Sequence, residues 1–249
     1  MGGAWCASGL RYAPYAPQPA VPPALDAAFL VLLTDRQAAA FRRRLVRDLR
    51  DKGIADERVL DAVAQVPRHR FIPDDGLHRQ AYDDVALPIG EGQTISQPFT
   101  VARMTELLAV QPGDRVLEVG TGSGYQAAIL ATLGARVFSI ERHAKLLRKT
   151  TPVLKALGLT VRTQAGDGTY GWPALAPFDA IIVTAGGPTV PTELTDQLRA
   201  PAPGRADARL LIPVGPPTQQ VLHRITRTGS EALADETFND VLFVPLVRG

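Results

Sequence analysis

The stretch Val116-Leu117-Glu118-Val119-Gly120-Thr121-Gly122-Ser123-Gly124-Tyr125 constrains this chain more than any other. An apolar run meets glycines at alternate positions, and a helical pattern starts near Tyr125. That order reads as a buried strand, a tight turn and a helix. Glycines let such a turn take positive φ and let a ligand approach the main chain closely. The helix N-terminus beyond it offers free N–H donors. Further strands are predicted at 115–119, 136–140, 160–164, 180–184 and 209–213, with helical or loop connections between them. This alternation predicts an α/β fold with a doubly wound, mostly parallel sheet. Segments 220–226 and 241–246 read as closing antiparallel strands.

Upstream of the sheet the texture differs. Residues 1–34 form an Ala/Pro-rich extension, punctuated by Pro14, Pro17, Pro19, Pro22 and Pro23. Disorder is expected there, with one short helix near 25–33. From residue 35, Phe41, Leu45, Val46 and Leu49 recur at helical spacing among Arg42, Arg43, Arg44, Arg47 and Arg50. The arginines read as the solvated face of an amphipathic helix, with an RNA-binding patch as the alternative. A second helix is expected at 56–65, irregular chain at 67–93, and a helix at 98–110 carrying Val101, Met104, Leu107 and Leu108. Residues 35–110 are thus a helical and loop region preceding a sheet domain at 111–249, the two forming one unit.

Composition narrows the function classes. A formal charge of +2 gives no reason to invoke nucleic acid or a membrane surface. Cys6 stands alone, which rules out an intramolecular disulfide and fits a cytoplasmic location. No apolar run approaches the roughly 20 residues of a membrane span, and no HxxxH or CxxC spacing suggests a metal.

Spacing within the glycine loop discriminates between cofactors. A dinucleotide loop reads G-x-G-x-x-G, whereas Gly120, Gly122 and Gly124 read G-x-G-x-G. Glu118 at the strand end would repel phosphate but could pair with a cation, as S-adenosyl-L-methionine would supply. Glu141 ends the next strand, where doubly wound folds place a ribose-binding carboxylate. Gly166-Asp167-Gly168 follows the third strand and could present a carboxylate to an adenine amino group. Each acid has a plainer reading: an exposed strand-end charge for Glu118, a surface charge for Glu141, an Asx-type turn for Asp167.

Several other blocks resemble the protein-L-isoaspartate (D-aspartate) O-methyltransferase family, a branch of the Rossmann-like S-adenosylmethionine-dependent methyltransferases. The most specific is Gly92-Gln93-Thr94-Ile95-Ser96-Gln97-Pro98. It is accompanied by Val66-Pro67-Arg68-His69-Arg70-Phe71-Ile72-Pro73, Phe178-Asp179-Ala180-Ile181-Ile182-Val183-Thr184-Ala185, Ile212-Pro213-Val214-Gly215 and Phe243-Val244-Pro245-Leu246. The resemblance implies that Ser96 is the active-site residue and that Thr94, Ile95 and Gln97 line the acceptor side. It assigns Glu118, Gly120, Gly122, Gly124, Glu141, Asp167, Gly168 and Gln220 to the cofactor. It also implies a monomeric enzyme acting on isoaspartyl-containing proteins, with S-adenosyl-L-homocysteine as product. Two departures stand out: the glycine-rich run 186–191 and an insertion at 201–208.

The chemistry implied needs little machinery. An α-carboxyl titrates near ~3.5, so it is already ionised at neutral pH and needs no general base. Ser96 would orient it, and the alternative for Ser96 is a helix N-cap. Three rival readings remain: methylation of RNA or a small molecule, recognition of damaged peptides without turnover, and nicotinamide-dependent oxidoreduction.

Overall fold

The computed structural model describes residues 35–249. The expectations for residues 1–34, Cys6 included, lie outside the described residues. Helix α1 (Asp35–Asp51) buries Ala38, Leu45 and Leu49 and leaves Arg43, Arg44, Arg47 and Arg50 exposed. Arg44 pairs with Asp83, and Arg50 with Glu57 at 2.8 Å, so the arginines form a solvated, ion-paired face. Helix α2 (Glu57–Gln65) starts where the Asp56 side chain accepts from the Arg58 amide, and it buries Val59, Leu60 and Val63.

The stretch expected to be irregular holds short 3₁₀ turns, at Arg68–Phe71, Asp75–Leu77 and Gln80–Tyr82, and then a hairpin. Strands β1 (Leu87–Gly90) and β2 (Gln93–Ile95) are antiparallel around Glu91 (φ 52°) and Gly92 (φ 70°). Positive φ at both central residues is what a two-residue hairpin turn requires. Gly90 and Gly92, within the stretch expected to be irregular, therefore help build a hairpin too short for its alternation to register. Helix α3 (Pro98–Leu108) follows and stops at Ala109, whose φ of 53° ends it earlier than expected.

From there the expected alternation runs: β3 (Arg115–Val119), α4 (Tyr125–Thr132), β4 (Arg136–Glu141), α5 (Ala144–Ala156), β5 (Val161–Ala165), β6 (Ala180–Val183), α6 (Thr192–Thr195), β7 (Arg209–Val214) and β8 (Gln220–Arg227). A final strand, β9 (Leu233–Val241), completes a seven-stranded sheet in the order β5-β4-β3-β6-β7-β8-β9. The first five strands are parallel and the last two antiparallel. This is the predicted doubly wound fold.

One strand was misplaced. The closing strand lies at Leu233–Val241, not at 241–246. It is an exposed, acidic edge with almost no buried residue, so it shows no apolar alternation. Within the apolar segment 242–246, Phe243 and Leu246 pack against the two sheet cores, while Leu242 is exposed.

Alternation along the central strands feeds two cores. Val116, Val137, Ile182 and Leu211 face α3 and α4. Leu117, Val119, Phe138, Ile140, Ile181 and Val183 face Phe178, Leu194 and Leu198. Strand β3 has β4 on one side and β6 on the other, so the chain reverses direction across the sheet at β3. A crevice at the carboxyl ends of the strands follows from that topology. Among the described residues no helix is long and apolar enough to cross a membrane.

Candidate active site

The glycine loop turns sharply out of β3. Gly120 (φ 98°) lies so close to Thr184 that a Cβ would stand 2.4 Å from its hydroxyl oxygen. That hydroxyl donates to the Gly120 carbonyl at 2.7 Å. At Gly124 (φ 87°) a Cβ would sit 2.5 Å from the Thr150 methyl group. Both positions therefore demand glycine twice over, by backbone conformation and by space.

The loop forms the floor of a cleft of about 330 Å³. Gly120, Gly122, Glu141 and Gly168 of the expected cofactor set line it. Glu141 is fixed by two amides: Gly122 donates to Oε2 at 2.7 Å and His143 to Oε1 at 2.8 Å. Thr94, Ile95 and Ser96 line the cleft as well, as do residues 243–247.

Five expected site residues do not line the cleft: Gln97, Glu118, Gly124, Asp167 and Gln220. Glu118 is not an exposed strand-end charge, because it is wholly buried. Its Oε2 accepts from the Ser139 hydroxyl, while Oε1 has no hydrogen-bond partner. Burial, only partly opposed by that hydrogen bond, pushes its carboxyl up to about 8. Ser139 in turn meets Thr121 Oγ1 at 2.6 Å, and Thr121 lines the cleft. Glu118 thus reaches the cleft only through two hydroxyls.

Asp167 makes an Asx-type turn, accepting from the Thr169 amide at 2.8 Å and its hydroxyl at 2.7 Å. Its second oxygen accepts from the Gly249 amide at 3.0 Å. Burial pushes this carboxyl up, but the Gly249 and Thr169 donors outweigh it and hold it below the usual range. Gln220, nearly fully buried, exchanges two hydrogen bonds with the Phe243 backbone, at 3.2 Å and 2.8 Å. It holds the 243–247 segment over the cleft. Gln97 occupies the N-cap of α3 without a side-chain bond.

Ser96 is not that cap. The α3 N-terminus is capped from a distance by Asp84, whose Oδ1 accepts from the Phe99 amide at 2.8 Å. The Ser96 carbonyl accepts from Arg68 Nη2 at 2.9 Å, and its hydroxyl has no hydrogen bond among the described residues. A free hydroxyl on a cleft wall is available to an acceptor.

Sequence reasoning missed Thr121, Tyr125, Thr184 and the 243–247 segment as cleft lining. The last carried a signal, since an apolar run after the acidic β9 asks what it covers. Thr121 and Thr184 carried none, because a lone threonine beside a glycine turn is ordinary.

Residues 40–249 match the family described as protein-L-isoaspartate(D-aspartate) O-methyltransferase. A Salinibacter ruber protein-L-isoaspartate O-methyltransferase is 56% identical over 218 residues, covering 86% of this chain and 94% of that protein. A Methylorubrum extorquens protein of the same name is 53% identical over 213 residues, covering 86% and 90%. A solved protein-L-isoaspartate O-methyltransferase superposes with a TM-score of 0.74 at 27% identity, covering 84% of this chain and 66% of that one. A Plasmodium falciparum structure, described as a beta-aspartate methyltransferase in complex with S-adenosyl-L-homocysteine, gives a TM-score of 0.72 at 26% identity, covering 84% and 99%.

Proposed function

The chain belongs to the protein-L-isoaspartate (D-aspartate) O-methyltransferase family of S-adenosyl-L-methionine-dependent enzymes, and we propose how its cleft serves that activity. The reading is that the cleft binds S-adenosyl-L-methionine and directs its methyl group to the free α-carboxylate of an L-isoaspartyl residue. One observation carries it: the unpartnered Ser96 hydroxyl and the amide-fixed Glu141 carboxylate line the same cleft.

The donor set fits a cationic nucleoside. Glu141 and the Thr121 hydroxyl face the cleft, with the orphaned Glu118 Oε1 buried behind them. Arg142, a cationic lining residue, is engaged with the Val247 carbonyl at 3.0 Å. When bound, the cofactor supplies an electrophilic methyl group on a sulfonium.

The roles of the residues are these. Glu141 accepts from ribose hydroxyls, and Gly120 and Gly122 let the ligand lie against the main chain. Gly124 starts α4 in the only conformation its neighbours allow. Gly168 packs against the base, while Asp167, which does not line the cleft, shapes that turn. Glu118 acts at one remove through Ser139 and Thr121, and Gln220 by fixing the 243–247 segment. Thr94 and Ile95 complete the acceptor wall, and Gln97 links it to α3.

Ser96 orients the acceptor carboxylate by donating its hydroxyl hydrogen. No proton needs to be removed, since the α-carboxyl is ionised far below neutral pH. Alignment is the main contribution, and well-oriented reactants can gain ~7–11 kcal/mol from it. The methyl ester so formed makes the isoaspartyl carbonyl a better electrophile, and closure to a succinimide starts repair. Residues 35–110 form the acceptor side and 111–249 the cofactor side of one unit. The same proposal takes the enzyme as a cytoplasmic monomer, and its net charge of +2 gives no reason to invoke nucleic-acid or membrane partners.

The test uses labelled S-adenosyl-L-methionine and two peptides differing only in an isoaspartyl or normal aspartyl linkage. Base-labile methyl ester on the isoaspartyl peptide alone is expected. Equal labelling of both, or transfer to neither, would reject the reading.

A further inference from the structure

Arg68, in the 3₁₀ turn after α2, is the largest wholly buried side chain among the described residues. Its Nη2 donates to two carbonyls, Val85 at 3.0 Å and Ser96 at 2.9 Å. Nε and Nη1 have no hydrogen-bond partner, nor does the hydroxyl of Tyr125, over whose ring the guanidinium lies at 5.5 Å. Among the described residues no carboxylate forms an ion pair with it. Asp84, the carboxylate that acts on it electrostatically, is already occupied by the Phe99 amide and by Lys52 at 2.6 Å. Burial draws the guanidinium down to about 10, which still leaves it charged at neutral pH.

A buried charge without a countercharge is costly, and an apolar side chain of similar volume would serve packing at least as well. The location of the charge offers a reason to keep it. The carbonyl it grips belongs to Ser96, and both Ser96 and Tyr125 line the cleft. Arg68 therefore stands immediately behind the wall that receives the acceptor.

We propose that Arg68 is a positioning residue for the acceptor: it fixes Ser96 through its carbonyl and sets a positive charge with no ion-pair partner behind the acceptor wall, so that the cleft favours an anionic acceptor. This rests on the function proposed above. It also separates two effects. Methylation converts the carboxylate to a neutral ester, so attraction to the charge is lost as the bond forms. The charge therefore favours acceptor binding and ester release, whereas the grip on Ser96 aligns the acceptor for transfer.

Two variants divide charge from grip. Arg68→Met removes charge and grip together and leaves an apolar side chain; Arg68→Lys keeps the charge on a side chain one bond shorter, whose ammonium falls short of the two carbonyls held by Nη2. Both are compared with the wild type for KM and kcat on an isoaspartyl peptide, and for S-adenosyl-L-homocysteine affinity by calorimetry. Arg68→Met is expected to raise KM at least tenfold with cofactor affinity within twofold. Arg68→Lys should hold KM within threefold while kcat falls severalfold. Equal KM changes in the two variants, or an unchanged KM in Arg68→Met, would overturn the proposal. Should Arg68→Met not fold, Arg68→Lys decides alone: KM held with kcat lowered supports the inference, and KM raised tenfold overturns it. A wild type that binds S-adenosyl-L-homocysteine but methylates neither peptide would instead defeat the functional reading, and this inference with it.

Discussion

The two walls of the cleft are held in place by different means. On the cofactor side the bonds are made to the loop's main chain: Gly120 donates to the Ile140 carbonyl at 2.8 Å, and Gly122 to the Glu141 carboxylate at 2.7 Å. On the acceptor side, segment 94–97 depends on side chains reaching from elsewhere. Arg68 holds the Ser96 carbonyl, and Asp84 caps the helix that follows. A wall made of backbone turns is written in local residue spacing. A wall held by remote side chains is not, and its positioning can be altered one residue at a time.

Glycine substitutions should expose that contrast most sharply. Gly120→Ala meets both a left-handed backbone and the Thr184 hydroxyl at 2.4 Å. Backbone strain of ~1–2 kcal/mol and crowding of ~1–3 kcal/mol add to roughly 2–5 kcal/mol. Expressed on the bound state, this weakens S-adenosyl-L-homocysteine at least about thirtyfold by calorimetry. Gly92→Ala, at φ 70° with nothing within 4 Å, carries the backbone strain only and should leave that affinity unchanged. Equal losses from the two variants would erase the distinction between the walls.

Glu118 carries the next effect. In the folded protein it keeps its proton up to about 8, against 4.5 when unperturbed. Below the lower value both states are protonated and burial carries no ionisation penalty. As pH rises from 4.5 towards 8 the unfolded chain releases a proton the folded protein retains, so wild-type stability declines. Glu118→Gln lacks this decline and should gain on the wild type by a few kcal/mol between pH 5 and pH 8.5 in urea unfolding. A constant difference across that range would mean that the carboxyl ionises normally.

The same contrast explains how much could be read before the structure. The parallel strands were legible because strands such as 116–119 and 180–183 are largely apolar, buried on both faces and bounded by glycine or polar turns. The glycine loop and Glu141 were legible because their spacing is local. The hairpin at 87–95 was not, since its strands are only four and three residues long. Edge strand β9 was not, since almost nothing in it is buried. The depth of Glu118 behind the loop, and the engagement of Asp167 and Gln220 with residues 249 and 243, depend on contacts distant in the chain. Arg68 could be quoted from a motif, but that it is sealed beneath Ser96 is a fact of packing.

Acceptor-side substitutions should leave the cofactor side intact. Ser96→Ala removes one orienting hydrogen bond, of the order of 1–1.5 kcal/mol. Turnover on an isoaspartyl peptide should fall about tenfold, while S-adenosyl-L-homocysteine affinity stays within twofold. Loss of cofactor affinity in parallel with turnover would show that the two walls are not independent.

The smallest effect tests whether the acceptor wall needs its remote cap. Asp84→Ala leaves the Phe99 amide without its partner at the start of α3 and deletes a carboxylate from the positive end of that helix. Losing such a cap costs ~1 kcal/mol. The accompanying pair with Lys52, whose side chain is 46% exposed, adds little. A fall of about 2–4 °C in Tm is expected, with KM for the peptide rising by less than about threefold and cofactor affinity unchanged. Because α3 begins two residues after Ser96, a Tm that falls while KM stays fixed would mean that Arg68 alone suffices to hold the serine in place.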